Sequence, residues 1–249
     1  MSAHPDSRAE ERIDVAFDFR SDTPGYPKKD PDVCSPTLRR YHRRLWSKPL
    51  PNGQVFTLDD TTVHYLHHRS DALGEFFLAS DAVVPTFRKE LSLAAVLRDI
   101  SDVDRETFLR LGYTIGGMMI FPGERIGRKM TINGARGFHP RIKDRFDLTV
   151  ECIRRHYSQE RSPLSDVLAR YGRFFALFVD FRGYVEFFLL QDIVSQDCSA
   201  VSFFAPFDGF DRSPVPVGVD EYRAYVRLAS AFIEARNRRI EALFPNMAS

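Results

Sequence analysis

Cysteine is scarce in this sequence: three in 249 residues, at positions 34, 152 and 198, with no paired spacing. That excludes a disulfide-stapled scaffold and a cysteine-built zinc site, and it fits a reducing compartment. Net charge is nearly absent too, at +1. A uniformly polycationic nucleic-acid binder is therefore excluded, and any basic footprint must come from local clustering. No apolar run is long enough to span a bilayer, and the opening MSAHPDSRAEER has no signal-peptide core, so a cytoplasmic protein is expected, without a membrane partner. The common ligand signatures are missing as well. There is no P-loop, Gly112 to Gly117 does not supply a dinucleotide fingerprint, and no nucleophile elbow is present. No cofactor is expected, and no obligate protein partner is evident.

What is present describes a globular protein. Hydrophobic residues make up 43% and charged residues 28%, and there are 22 phenylalanines, most in periodic segments where core packing is the default. No repeat, linker or boundary interrupts the chain. One α+β domain over residues 13–244 is expected, a mixed sheet covered by several helices behind a frayed tail at 1–12.

The most informative stretch runs from Tyr113 to Tyr157. Ile115 to Phe121 reads as a buried strand that Pro122-Gly123 ends. A polar, basic loop follows, and His139-Pro140 opens a helix. Ile142, Phe146, Val150, Ile153 and Tyr157 recur at steps of four, four, three and four, one helix face against a core. Arg141, Lys143 and Arg145 crowd its first turn, where cations oppose the macrodipole and an anion would reverse the penalty. A phosphate-facing loop carrying Asn133, Arg136 and Arg145 is one reading; a solvated basic loop is the other.

Elsewhere, Ile13 to Arg20 alternates like a half-buried strand and runs into a proline-rich loop. Ser35 and Pro36 start a helix with Leu38, Tyr41 and Leu45 inward, and Asn52-Gly53 sets a turn. Val55 to Leu58, Val63 to His68 and Glu75 to Ala79 read as a meander. Residues 88–112 read as two helical pieces, the second starting at Asp102 or Asp104. Ser162-Pro163 begins another helix, Tyr184 to Ile193 is a buried one, and Val201 to Phe207 is a strand. A Pro-rich loop then leads to a long amphipathic helix from Asp220 to Leu243.

Two basic clusters stand out. One interleaves Arg39, Arg40, Arg43, Arg44 and Lys48 with Tyr26, Tyr41 and Trp46, next to Asn52; the other spans Arg125 to Arg145. Cations that neutralise phosphates beside aromatic faces that stack on bases suit nucleic acid. A solvated helix face explains the same residues, and Trp46 serves equally as a core anchor. HYLHH puts His64 and His68 on one strand face and His67 on the other. Without a suitably spaced acid these are surface or partly packed histidines rather than metal ligands. Among carboxylates, Asp22 in SDTPG follows the first strand, where a loop acid can project from a sheet's end, although turn capping is the commoner role. Asp30 and Asp32 are weaker candidates of the same kind. Asp81 ends a strand, and Asn133 either reads a base edge or shapes the turn before Gly134.

The runs SPTLRRYHRRLWSKPLPNG, GYTIGGMMIFP, TINGARGFHPRIKDRFDLTVECIRRHY and FRGYVEFFLLQDIV resemble a bacterial and phage-borne family known only as a domain of unknown function. The likeness covers about Asp18 to Ile240. It implies kinship with antiphage DNA glycosylases that remove glucosylated cytosines from double-stranded viral DNA. SDTPG is loosely similar to the water-activating GQDPY or GINPG loop of uracil- and mismatch-specific glycosylases, with Ser21 in place of the leading glycine and Thr23 in place of the asparagine. SPLS at 162–165 fits a helix cap better than their second motif. On this resemblance the target base leaves the stack and an oxocarbenium-like state forms in a pocket. Asp22 would orient water, with Asp81 or Asp144 in reserve. Asn133 would bond the flipped base, Tyr41 or Trp46 would stack, and Arg39, Arg43, Lys48, Arg136, Arg141 and Arg145 would hold phosphates beside Asn52 and Lys143. An NAD-consuming toxin or ADP-ribosyltransferase and a non-catalytic nucleic-acid-binding module are the alternatives.

Overall fold

The computed structural model describes residues 12–244 apart from 61, 63, 64, 84, 86, 88 and 89, so the expected tail up to residue 11 and His64 lie outside the described residues. Ile13 to Arg20 forms turns instead of a strand. The Ala16 amide donates to Asp14 Oδ1 at 2.9 Å and the Arg20 amide to Asp18 Oδ1 at 3.0 Å. Such local bonds compete with a sheet ladder.

The proline-rich stretch holds a short helix, α1 (Pro31–Cys34), whose cap Asp30 accepts from the Asp32 amide. Next comes α2 (Pro36–Trp46), capped as expected by Ser35, with Leu38, Tyr41, Leu45 and Trp46 buried. Proline fits the first turn because its missing N–H would be unpaired there anyway. A hairpin of β1 (Lys48–Pro49) and β2 (Val55–Phe56) turns at Asn52-Gly53. Gly53 sits at φ +81°, which glycine adopts without strain.

The larger sheet has the order β3 (Leu66–Ser70), β4 (Gly74–Ala82), β5 (Met118–Pro122), antiparallel in both pairings. The expected mixed sheet is thus two small antiparallel ones, and the α+β class stands. Between β4 and β5 come α3 (Ala94–Arg98) and α4 (Asp102–Gly112), the two helical pieces foreseen, with Ser101 capping the second. Ile115 to Gly117 is a 3-10 turn, so only the latter part of that apolar run is strand.

After β5, α5 (Ile132–Phe138) occupies part of the supposed loop, and the helix expected from Pro140 begins six residues later as α6 (Phe146–Tyr157). α7 (Ser165–Arg170), α8 (Gly172–Ala176), α9 (Phe181–Phe188) and α10 (Val219–Leu243) complete the chain. Val201 to Phe207 supplies a single bridge, Val201 to Val194, rather than a strand. The core around α9 is aromatic. Phe174, Phe178, Tyr184 and Phe188 meet at tilted or edge-on angles, with Trp46 tilted against Phe188, contacts worth roughly 0.5–1.5 kcal/mol each beyond buried area. No helix among the described residues is long and apolar enough to cross a membrane.

The sheet is anchored from behind by α10. Arg236 donates to the carbonyls of Gly116 and Met118 at 3.0 and 2.6 Å, and the Gly116 amide donates to Asn237 Oδ1 at 2.7 Å. These bonds fix the start of β5, and β5 in turn holds β4, the strand that carries the candidate site.

Candidate active site

At the end of β4, two neighbouring residues engage different parts of the molecule. Asp81 meets Arg136 on α5, with Oδ2 2.5 Å from Nη1. Arg136 is fully buried, and a guanidinium so placed needs a carboxylate and several acceptors. It finds them in Asp81, the carbonyls of Ala82 and Asp144 at 3.1 and 2.8 Å, and Thr149 Oγ1 at 3.2 Å. Asp144 Oδ1 lies 3.0 Å from the same Nη1 but at an angle that makes no hydrogen bond. Lys143 and Asp144 both adopt positive φ. This left-handed pair turns the chain back between α5 and α6 and brings Asp144 against Arg136.

α1 packs against β4 and adds a third carboxylate. Asp32 Oδ1 is sealed from solvent with no hydrogen-bond donor. Burial, and then the charges of Asp30 and Asp81, push Asp32 well above the usual carboxylate range. Burial raises Asp81 as well, to about 7, with the Asp144 charge adding to the rise and Arg136 opposing it. These groups face a cavity of about 370 Å³ that Asp30, Glu90 and Lys143 also line, with Phe87, Phe108 and Tyr113 as walls. Lys143 Nζ pairs with Glu90 at 3.2 Å. The cavity size falls within the range of small-ligand sites, and carboxyl groups raised by burial inside one cleft mark a candidate for acid–base chemistry.

Ser80 engages His42 instead. The ring N–H of Trp46 donates to His42 Nδ1 at 3.0 Å, and tryptophan has no acceptor there. The proton of neutral His42 therefore sits on Nε2 and points at Ser80 Oγ, 2.9 Å away. Burial, with Arg236 nearby, holds this histidine neutral by lowering it to about 3. A histidine in that tautomer cannot take the serine proton, so a Ser–His nucleophile is ruled out at this pair.

The other expected site residues separate into several groups. Asp22 caps α2 from outside: its carboxylate accepts from Ser35 Oγ at 2.6 Å and from the Thr37 amide at 3.0 Å. Tyr41 and Trp46 are core residues, nearly or wholly without exposed surface, so neither is available to stack on a base. Arg145 is buried against Asp147 and bonds the carbonyls of Ala205 and Pro214. With Arg136 locked to its two aspartates, neither of these arginines reaches a phosphate. Lys48 donates to the Phe187 carbonyl at 2.6 Å over the Trp46 and Phe187 rings, and burial, then the Arg236 charge, lowers it to about 8. Asn133 donates to the Ser80 carbonyl at 3.2 Å, behind β4. Asn52 is an exposed turn residue bonded to Gln54, and Arg141 is exposed. His67 pairs with Glu75 at 2.8 Å, and buried His68 stacks on Phe56.

Arg39 and Arg43 line a second depression, an open groove of about 870 Å³ on the other side of α1, together with Lys29, Arg40 and Asp60. Asp30 borders both the groove and the acidic cavity. The sequence pattern does not single out Glu90 and offers Asp32 only as a weaker turn-forming candidate. Nothing local marks Glu90, which joins the cavity lining paired with Lys143, 53 residues away in sequence.

A model of a family of unknown function (DUF6994) matches residues 13–240. No curated protein and no solved structure matches the chain.

Proposed function

The chain belongs to that family of unknown function, and from its site we propose that it is a hydrolase of N-glycosidic bonds. As the resemblance implies, we read it as a DNA glycosylase that flips and excises a modified cytosine from phage DNA in antiviral defence. The observation that carries the reading is the pair of carboxyl groups, Asp32 and Asp81, both raised above the ordinary range at the wall of one cavity. Breaking a glycosidic bond needs an acid for the leaving group and a carboxylate for the sugar and the attacking water. Asp32, held protonated, donates to the departing base as the C1′–N bond breaks and its electrons pass to the ring. Asp81 accepts the proton of the water that adds to C1′. The products are free base and an abasic sugar, and proton exchange with solvent resets the two acids. Asp144, held against Arg136, contributes negative charge facing the oxocarbenium-like carbon.

The same acids also favour a second substrate, because they supply the carboxylate that a nicotinamide ribose would require. One experiment separates the two. Purified protein is incubated with glucosylated-hydroxymethylcytosine DNA, unmodified DNA or NAD, and released bases are identified by mass spectrometry. The expected result is base release from the modified DNA, lowered about 10²–10⁴-fold in Asp81→Asn. Cleavage of NAD alone selects the second substrate. Absence of turnover on all three, or full activity in both Asp81→Asn and Asp32→Asn, overturns the hydrolase.

A further inference from the structure

The groove across α1 has a chemistry opposite to that of the cavity. Its floor is apolar, built from Pro24, Val33 and Pro36, and its cations are Lys29, Arg39, Arg40 and Arg43. These four are not equivalent. Arg39 is spent on the chain, donating to the carbonyls of Thr62 and Tyr65 at 2.8 and 3.2 Å. Arg43 is paired with Asp60 at 3.2 Å. Among the described residues, Lys29 and Arg40 have no carboxylate within ion-pair distance, and the Arg40 guanidinium lies 5.5 Å from the Tyr41 ring. Nε of Arg40 and Nε of Arg43 are both sealed from solvent without an acceptor. Those enclosed N–H groups lie beyond an oxyanion's reach, so a ligand would meet Arg40 at its terminal nitrogens, where charge-assisted hydrogen bonds form.

We propose that this groove is the phosphate subsite of the enzyme, holding the phosphodiester of a nucleic-acid strand beside the nucleotide in the acidic cavity, with Lys29 and Arg40 as the phosphate ligands. The assignment rests on the N-glycosidic reading of the cavity. Its physical basis is the division of labour across α1. Asp32 serves the cavity, Val33 and Cys34 line the groove, and Asp30 borders both. A cavity dominated by carboxylates repels a phosphate, so an anionic substrate needs its charge held outside, and the groove on the far side of this one-turn helix does that. The apolar floor suits a sugar or base face, and cations along an apolar track are what single strands bind. The assignment also replaces Arg136 and Arg145, which are enclosed by their own acids, with two residues free to meet a ligand.

The test measures binding of a short fluorescent oligothymidylate by anisotropy across a salt series, using the full chain. Each phosphate contact to a single strand contributes about 0.7 to the slope of log K against log salt. Loss of both ligands in Lys29→Ala/Arg40→Ala is expected to flatten that slope by about 1.4, and Lys29→Ala alone by half as much. Lys29 is exposed, so the single variant keeps the test valid if Arg40 proves necessary for folding. Unchanged slope and affinity in both variants overturn the subsite, as does failure of the parent to bind. Binding that depends on Lys29 and Arg40 without base release leaves the groove standing and removes the hydrolase. Base release with binding indifferent to both residues does the reverse.

Discussion

The partners that each polar side chain meets set what it can do here, and Asp22 is the clearest case. Its two oxygens are occupied by Ser35 Oγ and the Thr37 amide, and Ser35 Oγ in turn accepts from the Leu38 amide at 3.1 Å. Asp22 therefore closes a chain of bonds that satisfies donors at the start of α2, where an N-cap is worth about 0.5–2 kcal/mol. Asp22→Ala is expected to lose stability of that order, measured by denaturant melting, because both acceptors disappear together. A variant of unchanged stability that no longer turns over substrate would move Asp22 from capping to chemistry. Arg236 shows the opposite situation. It is fully buried and finds no carboxylate, only the carbonyls of Phe188, Gly116 and Met118 and the Met119 sulfur, so burial lowers it to about 9. It acts as a clamp, not a binding residue.

At the scale of elements, that clamp demands a glycine. A Cβ on Gly116 would stand 2.5 Å from both Asn237 Oδ1 and the Ile233 carbonyl, and one of those atoms is helix backbone that cannot yield. Gly116→Ala is expected to cost about 1–3 kcal/mol, the range of an overpacked interior, read as a lower denaturation midpoint. A midpoint equal to the parent's would mean that α10 stands off from the 3-10 turn.

The elements legible in the sequence were those whose signal is local. The Ser35-Pro36 cap, the Asn52-Gly53 turn, the two pieces ending at Gly112 and the inward face of α10 all follow from spacing and capping. Three misreadings share a different cause, because in each the backbone groups are claimed by side chains or context that spacing cannot show. Asp14 and Asp18 claim the amides of Ala16 and Arg20, and the Asp14 amide goes to the Tyr41 hydroxyl. The buried Arg145–Asp147 pair takes the Phe204 amide and the Ala205 carbonyl, so Val201 to Phe207 cannot ladder. α5 contains Gly134 and Gly137, each about 1 kcal/mol worse than alanine in a helix, yet Thr131 caps it and Arg136 ties it to β4. The carboxylates of the candidate site were visible one at a time, as Asp30, Asp32, Asp81 and Asp144. Their convergence was not, because it depends on α1 packing on β4 and on the left-handed pair at 143–144.

For the whole molecule, those acids couple site and stability through pH, with a definite sign. Asp81 is raised from 3.8 to about 7. An unfolded chain gives up that proton near pH 4, whereas the folded protein keeps it until about pH 7. Between those values the unfolded state binds fewer protons, so this contribution to stability is complete below pH 4 and lost as pH rises to 7. His42 acts in the other direction. Lowered from 6.5 to about 3, it takes no proton in the fold, and its contribution is present above pH 6.5 and lost as pH falls. The two nearly oppose each other from pH 4 to 6.5, so the melting temperature of the parent is expected to change little there from this pair. Asp81→Asn removes one side of the balance and leaves His42. Its melting temperature should climb with pH across that window, and the parent should lose stability relative to the variant as pH rises from 4 to 7. Thermal melts of the two proteins in the same buffers measure that difference directly. A difference that stays constant with pH would mean that Asp81 is an ordinary ionised partner of Arg136, and of the two raised carboxyl groups on which the glycosidic reading rests only Asp32 would be left.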